Sequence, residues 1–109
     1  MNSENENTSD ILIPDEYQSV EDKGTYIAGY LGFGVNYLIK CVQLDKDMIK
    51  EQFISETGSY YDIWLHGHFV ALTELRKIIM QSALNASTPA IEKMLLYFAN
   101  TNNEIEHLE

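Results

Sequence analysis

From residue 24 to about residue 98, apolar side chains return every three or four residues, a spacing that selects helices over strands. Ile27, Ala28 and Leu31 open the pattern at i, i+1, i+4, and Leu38, Cys41 and Val42 continue it at i, i+3, i+4. Met48, Ile49, Gln52 and Phe53 resume it behind Asp45 and Asp47, residues suited to a helix N-cap. Ser59 with Asp62 fits the S-x-x-[DE] capping box, and Tyr61, Leu65, Phe69, Leu72, Leu75 and Ile79 form one stripe behind it. The spacing predicts a helix over 59–84, about 39 Å long at 1.5 Å per residue. Asn85-Ala86-Ser87 breaks it; Thr88 as N-cap and Pro89 at the first helical position restart the chain. Ile91, Met94, Leu95 and Phe98 are the expected buried face of a last helix. No stretch alternates strictly between turn signals. The chain therefore reads as all-α, with five or six helices, a short first one falling across Asp15–Glu21.

Length and composition narrow the function classes. The chain has 109 residues, enough for one domain, and 45% hydrophobic residues argue against wholesale disorder. The longest apolar runs, about five residues, are far below the roughly 20 of a membrane helix. No basic segment precedes an apolar stretch at the start, so no signal peptide is expected. The single Cys41 excludes an intrachain disulfide and suits a reducing cytoplasm.

A net charge of −10 argues at first against a nucleic-acid partner. The charge is uneven, however: residues 1–22 sum to −7, whereas 23–50 sum to +2. Residues 1–13 read as an acidic, largely disordered arm, ending in the apolar anchor Ile11-Leu12-Ile13 before Pro14. Residues 14–100 read as a single helical domain, with a helix-turn-helix at 24–43 and a helical hairpin for packing or oligomerisation at 59–100. Residues 101–109 read as a frayed polar tail, and its closing Leu108-Glu109 fits a cloning scar.

The segment Thr25 to Gln43, TYIAGYLGFGVNYLIKCVQ, carries most of the functional information. Its first half places Ile27, Ala28 and Leu31 inward. Gly32 stands where a tight turn needs positive φ, and Ala28 stays small so that a second helix can cross over it. Leu38 and Cys41 are the inward positions of that second helix. Small residue, glycine and apolar anchor at this spacing make a helix-turn-helix pattern, which a plain αα-hairpin shares. The exposed face of the second helix is then Gly34, Val35, Asn36, Tyr37, Lys40 and Gln43. Asn36 and Gln43 are side chains able to read adenine edges, and Lys40 is the one cation among them.

Further along, the chain reads Tyr61-Asp62-Ile63-Trp64-Leu65-His66-Gly67, Glu74-Leu75-Arg76-Lys77 and Ala83-Leu84-Asn85-Ala86-Ser87-Thr88-Pro89-Ala90. In this order, behind I-A-x-x-L-G, these elements resemble phage-encoded small terminase (DNA-packaging) proteins over residues 24 to 100. The resemblance implies a non-enzymatic adaptor in a bacterial host. Such an adaptor binds duplex DNA, forms homo-oligomers through its long central helices and hands DNA to a large terminase subunit. Carried onto this chain, it places Asn36, Tyr37, Lys40 and Gln43 at DNA, and Trp64, Phe69, Leu72 and Ile79 in helix packing or subunit contact. The acidic arm departs from this pattern, as does Gly34, which within a helix costs up to about 1 kcal/mol.

Other chemistry finds little support. No G-x-x-x-x-G-K-[ST] loop occurs, and Gly29, Gly32 and Gly34 suit packing and turns. His66 and His68, at i and i+2 on a helix, point about 200° apart, which argues against a shared metal. No carboxylate pair marks acid–base catalysis; Asp62 reads as a cap and Cys41 as a buried structural thiol. Tyr60, Tyr61, Trp64 and Phe69 have the ring faces to stack on bases, but their helical spacing favours packing. Neither a cofactor nor a catalytic residue is expected. Arg76, the lone arginine, suits an intersubunit pair with a carboxylate. Two other functions fit the same residues: a helix-turn-helix transcriptional regulator, and an acidic protein-binding inhibitor or DNA mimic.

Overall fold

The computed structural model describes residues 11–106, with side chains through Glu104. The first ten residues of the expected disordered arm (1–13), and Leu108-Glu109, lie outside the described residues. Within them the chain is all-α, as its periodicity predicts, with five helices and no strand. These are α1 (Val20–Leu31), α2 (Val35–Lys40), α3 (Lys46–Ser55), α4 (Ser59–Leu84) and α5 (Thr88–Glu106). The chain divides into two compact units: the first ends at Ala71 and the second begins at Leu72, inside α4.

The first unit opens with a strap over residues 11–18. No separate first helix forms over residues 15–19. Instead the Tyr17 N–H donates to Pro14 O at 3.1 Å, closing a turn. The helix waits for Val20, where Ser19 Oγ accepts from the Asp22 N–H at 3.0 Å. Glu21 and Asp22 lie in the first turn of α1, where the helix dipole favours negative charge. Of the seven acidic residues in 1–22, four, Asp15, Glu16, Glu21 and Asp22, thereby belong to the folded unit.

α1 ends as expected at Gly32, with φ of 82°, and the Phe33 N–H donates back to Ala28 O at 2.8 Å. Leu31, expected inward, is exposed on the last turn. Ala28, Leu38, Leu44 and Ile49 form the core, with Val35, Tyr37, Val42, Phe53 and Trp64 among those packed around it. Cys41 is not inward: α2 stops at Lys40, and Cys41 is the exposed residue that closes it. Leu44, after the turn, supplies the core contact instead.

α3 is capped by Asp45, whose Oδ2 accepts from the Met48 N–H at 2.9 Å. The start of α4 is capped differently from the expected Ser59–Asp62 box. Gln52 Oε1, from α3, accepts from the Tyr60 and Tyr61 N–H groups at 3.0 and 3.1 Å. A tertiary contact thus satisfies donors that the helix itself leaves open. α1 and α4 then meet backbone to backbone. A Cβ on Gly29 would overlap Trp64 O, and one on Gly67 would overlap Tyr26 O.

In the second unit, α4 runs to Leu84 and the chain turns through Ala86 at φ 69°, with the Ser87 N–H donating to Ser82 O at 3.0 Å. α5 already includes Thr88, one residue ahead of the expected start, and continues to Glu106, past the expected end near 100. Of the face expected to be buried, only Met94 is, beside Ala90; Ile91, Leu95 and Phe98 are exposed. The reason is one of partners. Two helices bury one side of each, and among the described residues of this unit no third element covers the rest.

Candidate nucleic-acid interface

The segment expected to read DNA consists of α1, the turn Gly32-Phe33-Gly34 and α2. Gly34 is not inside the second helix but caps it, with φ of −108° and no side-chain hydrogen bond. Its expected cost therefore largely disappears, since glycine is tolerated at an N-cap. Leu38 is fully buried against the core that contains Ala28, which fixes the opposite side of α2 toward solvent.

On that outer side Asn36 and Lys40 are both exposed, as expected. Tyr37 is half-buried, its ring stacked on Phe33 with centroids 4.5 Å apart and planes 9° apart. Gln43 departs from the group. It lies beyond the helix, in the left-handed region at φ 65°, so it does not share the α2 face. The structure thus brings Asn36, Tyr37 and Lys40 together on one short helix and leaves Gln43 in the loop that follows. Lys46 and Lys50 are exposed on α3, interleaved with Asp47 and Glu51.

The turn is held in place from α4. The Trp64 indole N–H donates to Phe33 O at 2.7 Å, and its ring meets Phe53 edge-on at 5.3 Å and stacks on His68 at 5.0 Å. Trp64 is therefore a bracket for the turn within the first unit. Of the other residues expected in packing or subunit contact, Phe69 is 57% exposed, and Leu72 and Ile79 are half-buried. Phe33 and Gln52 are the positions that sequence reasoning missed. Phe33 is flanked by glycines that mask its role, and Gln52 acts on a helix other than its own.

The two histidines part company. His68 lies against Trp64, whereas His66 Nδ1 meets the Tyr17 hydroxyl at 2.7 Å, with the Tyr17 and Tyr26 rings around it. Burial pushes the Tyr17 phenol above its ordinary range, aided by Glu16, Tyr26, Asp22 and Asp62. Tyr17 thus keeps its proton at neutral pH and pins the strap to α4. Among the described residues, no group of three or more His, Cys, Asp or Glu is placed to hold a metal ion, and no helix is long and apolar enough to cross a membrane. Comparison with known proteins matches no family model, no curated protein and no solved structure.

Proposed function

We propose that this chain is a DNA-binding adaptor of the small-terminase type, working as a homo-oligomer in the cytoplasm of a bacterial host beside a large terminase subunit. The observation that carries the reading is α2 itself. Its inner side is fixed by the fully buried Leu38, the helix before it is ended by the left-handed Gly32, and it presents Asn36 and Lys40 outward. Such an element positions a cation for phosphate and an amide for a base edge. Self-association draws support from the second unit, where Leu75, Ile78, Leu84, Leu95, Leu96 and Phe98 are all exposed.

Fluorescence anisotropy with duplex DNA at low salt tests the reading. Binding is expected, with a salt slope that falls by about one for Lys40→Glu and an affinity at least about tenfold weaker. Removing residues 1–10, which carry Glu4, Glu6 and Asp10, is expected to tighten binding while sparing the Ser19 cap and the Tyr17 contact. No duplex binding, with Lys40→Glu silent, would overturn the reading and favour the acidic protein-binding module. That rival draws on the six-residue length of α2 and its single lysine.

A further inference from the structure

Among the described residues, the second unit contains an arginine without a carboxylate and a carboxylate without a cation. Arg76 lies over the Tyr97 ring, with the guanidinium carbon 4.2 Å from the ring centroid. A cation–π contact of this kind leaves guanidinium N–H groups able to fork onto a carboxylate. Among the described residues the ion pair that forms is the neighbouring Lys77–Glu74, at 3.3 Å, and Arg76 has no carboxylate partner. Arg76 also borders an open groove of about 470 Å³ between α4 and α5, whose apolar lining is Met80 and Met94. Glu92 is the complement. It is exposed on α5, with Ile91, Leu95 and Leu96 exposed around it.

We infer that a second copy of this chain docks on the second unit, the Arg76 of each copy taking the Glu92 of the other while their exposed apolar residues close over the groove. The inference rests on the self-association proposed above and adds its surface and its polar register. The pairing is reciprocal, so one two-fold axis satisfies both halves of it. Methionines suit such a groove because they adapt to an incoming side chain. Charge favours this unit over the other: residues 72–109 sum to −2 and residues 1–71 to −8, so two copies repel least here. The chain's own first ten residues are a poor occupant, having no apolar side chain after Met1. The need is also intrinsic, because a hairpin that, among its described residues, buries only Ala90 and Met94 has little core of its own.

Sedimentation equilibrium of the full chain across concentration tests the pairing. The wild type is expected to be a dimer or a larger assembly. Arg76→Glu and Glu92→Arg are each expected to weaken it by about tenfold or more, and the double swap to restore it to within about threefold. Arg76→Lys, which keeps the charge but loses the fork, should fall between, and circular dichroism confirms that each variant is folded. An oligomer that neither single variant weakens, or that the swap fails to restore, overturns the Arg76–Glu92 pair and leaves self-association standing. A wild type that stays monomeric at millimolar concentration overturns both.

Discussion

Leu38 and Leu84 are the same side chain on helices of one chain, yet the first is wholly buried and the second 78% exposed. Leu38 stands in a unit where α1, α2, α3 and the first part of α4 enclose a shared core. Leu84 ends a helix that has only α5 beside it in its unit. Periodicity is equally clear in both places. An apolar stripe declares that a helix has a face to bury, and the number of neighbours decides whether it is buried within the chain. The first unit meets more of that demand internally, around Ala28, Leu38, Leu44 and Ile49, although Leu31 and Ile54 stay exposed. The second leaves much of it unmet, and its outer apolar residues are free to serve another molecule.

The sharpest break in this contrast comes from truncating each leucine. Leu38→Ala is expected to cost about 2–5 kcal/mol by denaturant unfolding, because it opens a cavity in a closed core. Leu84→Ala is expected to change the stability of the monomer by less than about 0.5 kcal/mol. A concentration-dependent loss at Leu84, seen by melting at two protein concentrations, would mean that a second copy covers it.

The crossing of α1 and α4 gives the next effect. Gly67→Ala places a methyl on Tyr26 O and should cost about 1–3 kcal/mol, despite the better helix propensity of alanine. Ala83→Gly, in the second unit, tests propensity alone and should cost no more than about 1 kcal/mol. Equal losses at the two sites would remove the close approach as the distinguishing feature of the first unit.

The smallest effect is alkaline. Tyr17 and Tyr26 both have phenols raised by burial, and both belong to the first unit. A folded-state value above the unfolded one means that their contribution is fully present below about pH 10. It is lost as pH climbs through the raised values. Melting temperature should therefore drop above about pH 10, and Tyr17→Phe should flatten that drop. A drop of equal steepness in Tyr17→Phe would place the effect elsewhere.

The candidate interface was legible only in part. Gly32, Ala28 and Leu38 were readable because backbone conformation and burial leave local marks: a glycine at a turn, a small residue and an apolar anchor at fixed spacing. Cys41 and Gln43 were misplaced because α2 ends at Lys40, and the point where a short helix stops depends on Leu44 turning back into the core. Trp64 was readable as a packing or subunit-contact residue, and it packs on the core, but its partner was not legible because its hydrogen bond to Phe33 O spans 31 positions. The same holds for Gln52, whose side chain caps a helix that starts seven residues later.

By itself the sequence determined that the chain is helical, where the glycine turn closes α1, and that α4 runs over residues 59–84, the span observed. These are local properties, set by backbone sterics and by the 3.6-residue repeat. Tertiary structure alone decided that this long helix is shared by two units with unequal cores. It also placed Asp15, Glu16, Glu21 and Asp22, more than half of the acidic charge of residues 1–22, in a folded strap and helix start. Burial is a relation between elements, so no periodicity within one helix can say how many others will come to cover it.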